Sequence, residues 1–180
     1  MLRALFWTCF AVATVIYIIM VGWSLPAITE AAGGLVPFDM RPFGYTLADA
    51  KTFLAAIDPE TTKFYRDVQL TLDLFYPALI TISLFLGIYL MLPLHFGAWR
   101  WGIAALPLPI APLDYLENNL IGVMLTSGPE KISADLVSVA SRWTVLKSGF
   151  TTASMLLLFA LLLWWLVRRI QRRTGGKSTH

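Results

Sequence analysis

Residues 70–94 read LTLDLFYPALITISLFLGIYLMLPL, and the only charged side chain among them is Asp73. A helix needs about 20 apolar residues to cross a hydrocarbon core, and this run exceeds that. A helix apolar on every side has no solvent face, so it belongs inside a large core or a membrane. Working outward, residues 4–26, 101–126 and 143–167 form three further apolar runs of spanning length. The composition agrees: 57% of the 180 residues are hydrophobic and 14% are charged, against about 25% charged in soluble domains.

The first run follows Arg3 and competes with a secretory signal peptide. It is longer than the roughly 7–15-residue core of such a peptide, so an uncleaved membrane helix is expected. The net charge of +3 raises the question of nucleic acid, but Arg168, Arg169, Arg172 and Arg173 crowd behind the last run. That is the pattern of a cytoplasmic anchor and not of a nucleic-acid patch.

Arg3, Arg100, the four tail arginines and Lys177 would share one side of a four-span topology. The loops on the other side mix Arg41, Lys51, Lys63, Arg66 and Lys131 with eight acids, among them Asp39, Asp58 and Asp67. The bias of Lys and Arg near span ends predicts both termini in the cytoplasm. Trp7, Trp99, Trp101, Trp164 and Trp165 fall at the predicted inner boundary, and Trp23 and Trp143 at the outer one.

The longest outer segment carries a local helix signal. Thr46-Leu47-Ala48-Asp49 approximates a capping box, and Leu47, Ala50, Phe53, Leu54 and Ile57 recur at helical spacing. Asp58-Pro59 then starts a second helix expected to run into span two. Residues 27–69 and 127–142 are read as an outer cap, and residues 168–180 as a cytoplasmic tail that frays after Gln171. The expectation is an all-α integral membrane four-helix bundle with a small helical extracytoplasmic cap, a single domain over residues 1–180, in a bacterial inner membrane.

Five charges fall inside or at the rim of these spans: Asp73, Asp114, Glu117, Arg142 and Lys147. Each costs roughly 2.5–3.5 kcal/mol at the centre of an inserted helix, so such residues face partners or a cavity. At about 1.5 Å of rise per residue, Asp73 lies roughly 5 Å, Lys147 roughly 7 Å, Glu117 roughly 13 Å and Asp114 roughly 18 Å below the outer boundary. All therefore sit in the outer half or near the midplane. Asp114, Glu117 and Asn118 share one helix face, as do Gln69, Asp73 and Tyr76, and as do Thr144, Lys147, Ser148 and Thr151. Three stripes at matching height predict one interior polar pocket. Pro107, Pro109 and Pro112 precede the acidic face, so the inner half of span three cannot be a regular helix.

Three functions fit these residues. In the first, the charges form a salt-bridge network that braces the helices. In the second, Asp73, Tyr76, Asp114, Glu117, Asn118, Arg142 and Lys147 bind a lipid headgroup or small amphiphile, with Arg142 on a phosphate and the carboxylates on an amine. In the third, Asp114 or Glu117 acts as general acid or base beside Lys147 on a lipid-like substrate. With Cys9 alone and two histidines, His95 and His180, no ordinary metal or haem site is expected, and no cofactor is assigned. The partners expected are membrane lipids, a lipid-like ligand or another membrane protein, with no nucleic acid.

Overall fold

The computed structural model describes residues 1–175, and side chains through Gln171; Gly176, Lys177 and His180, and the side chains of Arg172 and Arg173, lie outside that description. Among the described residues the protein is all-helical. Helix α1 (Leu2–Ala31), α3 (Pro59–Met91) and α6 (Ala134–Gly175) are the long ones, and these three are long and apolar enough to cross a membrane. Shorter helices connect them: α2 (Leu47–Ala56), α4 (Trp99–Ala104) and α5 (Ile110–Ser127).

The expected third span is not one helix. It stops at Ala104, turns through Pro107 and Pro109, and restarts as α5 with Pro112 in its first turn. Proline lacks a backbone N–H and clashes with the preceding turn, so three within six residues break the helix while Pro112 is tolerated near the new start. The 18 residues of α5 rise about 27 Å, and its acidic face lowers its hydropathy below that of the long helices. The last helix starts at Ala134, ahead of the apolar run, and departs from expectation at its other end, where it continues through Gly175 beyond Gln171. Extending a formed helix is far cheaper than starting one.

Helix α3 is central. It packs antiparallel to α1 on one side and against α5 and α6 on the other, while α1 and α6 do not form a packed pair. Of the most apolar window of α3, 44% is buried, against 17% in α1 and 6% in α6. Two wide π turns interrupt the long helices at one level: Met20–Ser24 in α1, just before Pro26, and Tyr65–Gln69 in α3. Such turns add a residue to the helix and recur where side chains must be re-aimed.

At this same end the connecting segments join the helices in the largest buried apolar cluster. Phe38, Tyr45 and Phe53 pack with Tyr65 of α3, Ile121 and Met124 of α5, and Val137 and Ala140 of α6. The capping box predicted for α2 forms: Asp49 N–H donates to Thr46 Oγ1 (3.2 Å) and Thr46 N–H to Asp49 Oδ2 (2.8 Å). Gly44 docks the segment onto α6. Its φ of +86° suits glycine, a Cβ there would stand 2.6 Å from Ser141 Oγ, and the next N–H, of Tyr45, donates to that oxygen at 2.8 Å.

Candidate functional site

The polar stripes expected from helical spacing converge between α3, α5 and α6. Lys147 Nζ lies 2.6 Å from Asp114 Oδ1 and 2.5 Å from Glu117 Oε2. Glu117 is 0% exposed, and its other oxygen accepts from Thr144 Oγ1 at 2.7 Å. Two carboxylates from one helix thus hold one ammonium from the next, the arrangement that lets an ion pair persist in low dielectric.

A second line of bonds runs along α3 to α1. Ser24 Oγ donates to Gln69 Oε1 at 2.6 Å, and Gln69 Nε2 donates to Asp73 Oδ2 at 2.8 Å. Ser24 and Gln69 are each the last residue of a π turn, so the two widened turns are joined by a buried hydrogen bond. Tyr65, at the start of the α3 turn, donates its hydroxyl to Asp39 Oδ2, drawing the connecting segment onto the helices.

Pro77, buried within α3, explains how α5 is fixed. Without its N–H, the Asp73 carbonyl loses its helical partner. Asn118 Nδ2 approaches that carbonyl at 3.5 Å, and Tyr115 donates its hydroxyl to the neighbouring Leu74 carbonyl at 2.9 Å. Side chains of α5 thereby satisfy backbone groups that apolar surroundings would leave bare.

Beside these bonds lies a cavity of about 370 Å³, within the size range of small-molecule sites. Asp39, Asp73, Tyr76, Asp114 and Lys147 line it, with Tyr17 of α1 and Ser148 and Thr151 of α6. The Tyr17 and Tyr76 rings stack at 5.9 Å. Below it, between α1 and α6, an apolar groove of about 240 Å³ runs past Phe10, Leu84, Leu158 and Phe159. Ile80 and Met155 line both spaces, so the cavity and the groove adjoin one another along α3 and α6.

Of the residues expected at the site, Asp73, Tyr76, Asp114 and Lys147 face the cavity. Glu117 lies behind Lys147 and does not line it, and Asn118 serves the α3 backbone. Arg142 does not line the cavity: it is exposed and makes no ion pair among the described residues. One turn above Lys147 on a helix that starts at Ala134, it points away from the face that carries Thr144 and Lys147. Asp39, Tyr65, Ser24 and Tyr45 were missed. Asp39 reads as an ordinary loop acid, although Phe38 and Met40 flank it with apolar side chains. Tyr65 lies four residues before Gln69, but in a stretch assigned to the cap.

Burial, with the Glu117 carboxylate nearby, pushes the Tyr45 phenol well above its ordinary value, so it remains a neutral neighbour of the network. Among the described residues no three His, Cys, Asp or Glu side chains converge as metal ligands. No protein-family model, no curated protein and no solved structure matches this chain, so the site is read from its own residues.

Proposed function

We propose that the protein is an integral membrane protein that binds an amphiphile, with the polar head in the cavity beside Asp73 and Lys147 and the chain in the groove between α1 and α6. The observation that carries this reading is that the two spaces adjoin, with Ile80 and Met155 lining both. A chamber that carries charged groups on a largely apolar wall, beside an apolar groove, suits an amphiphile better than a water-soluble solute. The weak pairing of α1 with α6 leaves the groove open to the side, where a lipid enters without crossing water.

In the same reading α1, α3, the broken α4–α5 element and α6 are four passes through a bacterial inner membrane. Both termini are cytoplasmic, and the segment with Phe38, Gly44 and α2 caps the outer face. The exposed rings of Trp7, Trp99 and Trp101 and the Arg168 guanidinium, 4.0 Å from the Trp164 ring, support the inner boundary. The ion pairs behind the cavity brace its wall, so bracing and binding are two roles of one cluster.

Native mass spectrometry tests this. Wild type released from mild detergent should carry a discrete lipid-mass adduct, and Met155→Trp, which fills the junction from a half-exposed position, should carry none while keeping its helicity. Equal adducts on both proteins, or a bare wild type, would sink the reading.

A further inference from the structure

We infer that the amphiphile's head is a cation, an aliphatic amine or quaternary ammonium; this rests on the amphiphile reading above and fixes the chemistry of its polar end. Three carboxylates line the cavity, those of Asp39, Asp73 and Asp114, against the single ammonium of Lys147. That ammonium is already held by Asp114 and Glu117 at 2.6 and 2.5 Å. The acids left over are Asp73 and Asp39, which lie within electrostatic reach of each other.

Asp73 is 4% exposed; its Oδ2 accepts from Gln69, and its other carboxylate oxygen has no hydrogen-bond partner among the described residues. Asp39 is alike: Oδ2 accepts from Tyr65, and Oδ1 is buried without a partner. A buried carboxyl is stable either protonated or beside a counter-charge, and no described cation is paired with Asp73 or Asp39. Arg41 donates to the Val36 carbonyl at 2.9 and 2.7 Å and does not line the cavity, and Arg142 is exposed outside it. In the charged form of these carboxylates the counter-charge comes from the ligand.

The same residues disfavour an anionic head. A phosphate or sulfate would meet three carboxylates, and the one cation present would have to break its own pairs to receive it. The stacked rings of Tyr17 and Tyr76 on the cavity wall add to the preference, because aromatic faces attract ammonium groups.

The test uses the full chain in maltoside micelles, titrated with dodecylamine, dodecyl phosphate and dodecanol, and read by native mass spectrometry together with the melting temperature. Dodecylamine should bind saturably and at least tenfold more tightly than the other two. Asp73→Asn and Asp39→Asn should each weaken it about tenfold and leave dodecanol unchanged. Asp39 lies outside the long helices, so its variant keeps the test decisive if Asp73→Asn does not fold. Phosphate or alcohol binding as tightly as amine, or amine affinity unchanged in the Asn variants, overturns the cation inference while the amphiphile reading stands. If none of the three binds and Met155→Trp retains the lipid adduct, the amphiphile reading itself falls and this inference with it.

Discussion

The two halves of α3 are held in different ways. From Tyr65 to Tyr76 the helix is tied by polar bonds, to Ser24 through Gln69, to Asp39 through Tyr65, and to α5 around Pro77. From Ile80 to Met91 the contacts are mainly apolar, the exception being Arg100, which donates to the Tyr89 carbonyl at 2.7 Å. Ile88 packs with Ala104 and Leu158, and Gly87 brings Phe6 of α1 and Leu158 of α6 against the backbone. In lipid, apolar side chains gain little by leaving one apolar medium for another, so close contact of small residues holds helices together. Polar bonds cost more to bury but fix position, because each donor has few acceptors within reach. The cavity lies where the polar half gives way to the apolar half, along Asp73, Tyr76 and Ile80.

The comparison breaks most visibly at Lys147. Lys147→Met should lower stability by about 3–5 kcal/mol, since Asp114 and Glu117 are then buried without a counter-charge. Adding Glu117→Gln should recover a substantial part of that loss. Denaturant titration of both proteins in mixed micelles checks this, and a single-variant loss under about 1 kcal/mol would show that the pair braces nothing.

The apolar half should respond to volume and not to charge. Gly87→Leu places a side chain where a Cβ already stands 3.1 Å from Phe6 and 3.2 Å from Leu158, so a loss of about 1–3 kcal/mol from overpacking is expected. Its ion pairs should survive, and an amine should still bind. Loss of the polar site in this variant, read by the same titration, would mean that the two halves are not independent.

The smallest effect is expected in the segment that covers the polar half. Thr46→Ala removes the cap of α2 and should cost about 1 kcal/mol. The hydrogen bonds from Thr46 hold the Asp49 carboxyl below its ordinary range. A carboxyl whose value is lowered on folding stabilises the protein above its unfolded value, about 3.9, and loses that contribution as pH falls through the folded value. The melting-temperature gap between wild type and Asp49→Asn should therefore be full near neutral pH and close in strong acid. A gap that stays constant would show that the box contributes nothing through its charge.

Much of this was legible from spacing. Asp114, Glu117 and Asn118 fall on one face because three and four residues are close to one helical turn, and Gln69 and Asp73 meet for the same reason. Thr46 and Asp49 meet because a cap is a local structure, complete within four residues. The break before α5 was legible too, since proline acts on its own turn.

Arg142 shows where spacing stops being informative. It lies five residues before Lys147, at the rim where Lys147 is roughly 7 Å deep, but a helix face is set by angle as well as height, and the start of α6 carries it outward. Tyr65 was hidden for a related reason: the π turn from Tyr65 to Gln69 shifts the register of α3, and regular periodicity does not foresee an irregular turn.

The sequence by itself determined that this chain is helical and apolar enough for a membrane, where its third apolar run breaks, and which charges share a face. Those are properties of neighbouring residues along one helix. Only the tertiary structure decided that Asp39 joins Asp73, that Glu117 stands behind Lys147 instead of facing the cavity, and that α1 and α6 leave a groove between them. Those depend on contacts between segments distant along the chain, where small rotations of whole helices decide which side chains meet and which remain free to meet a ligand.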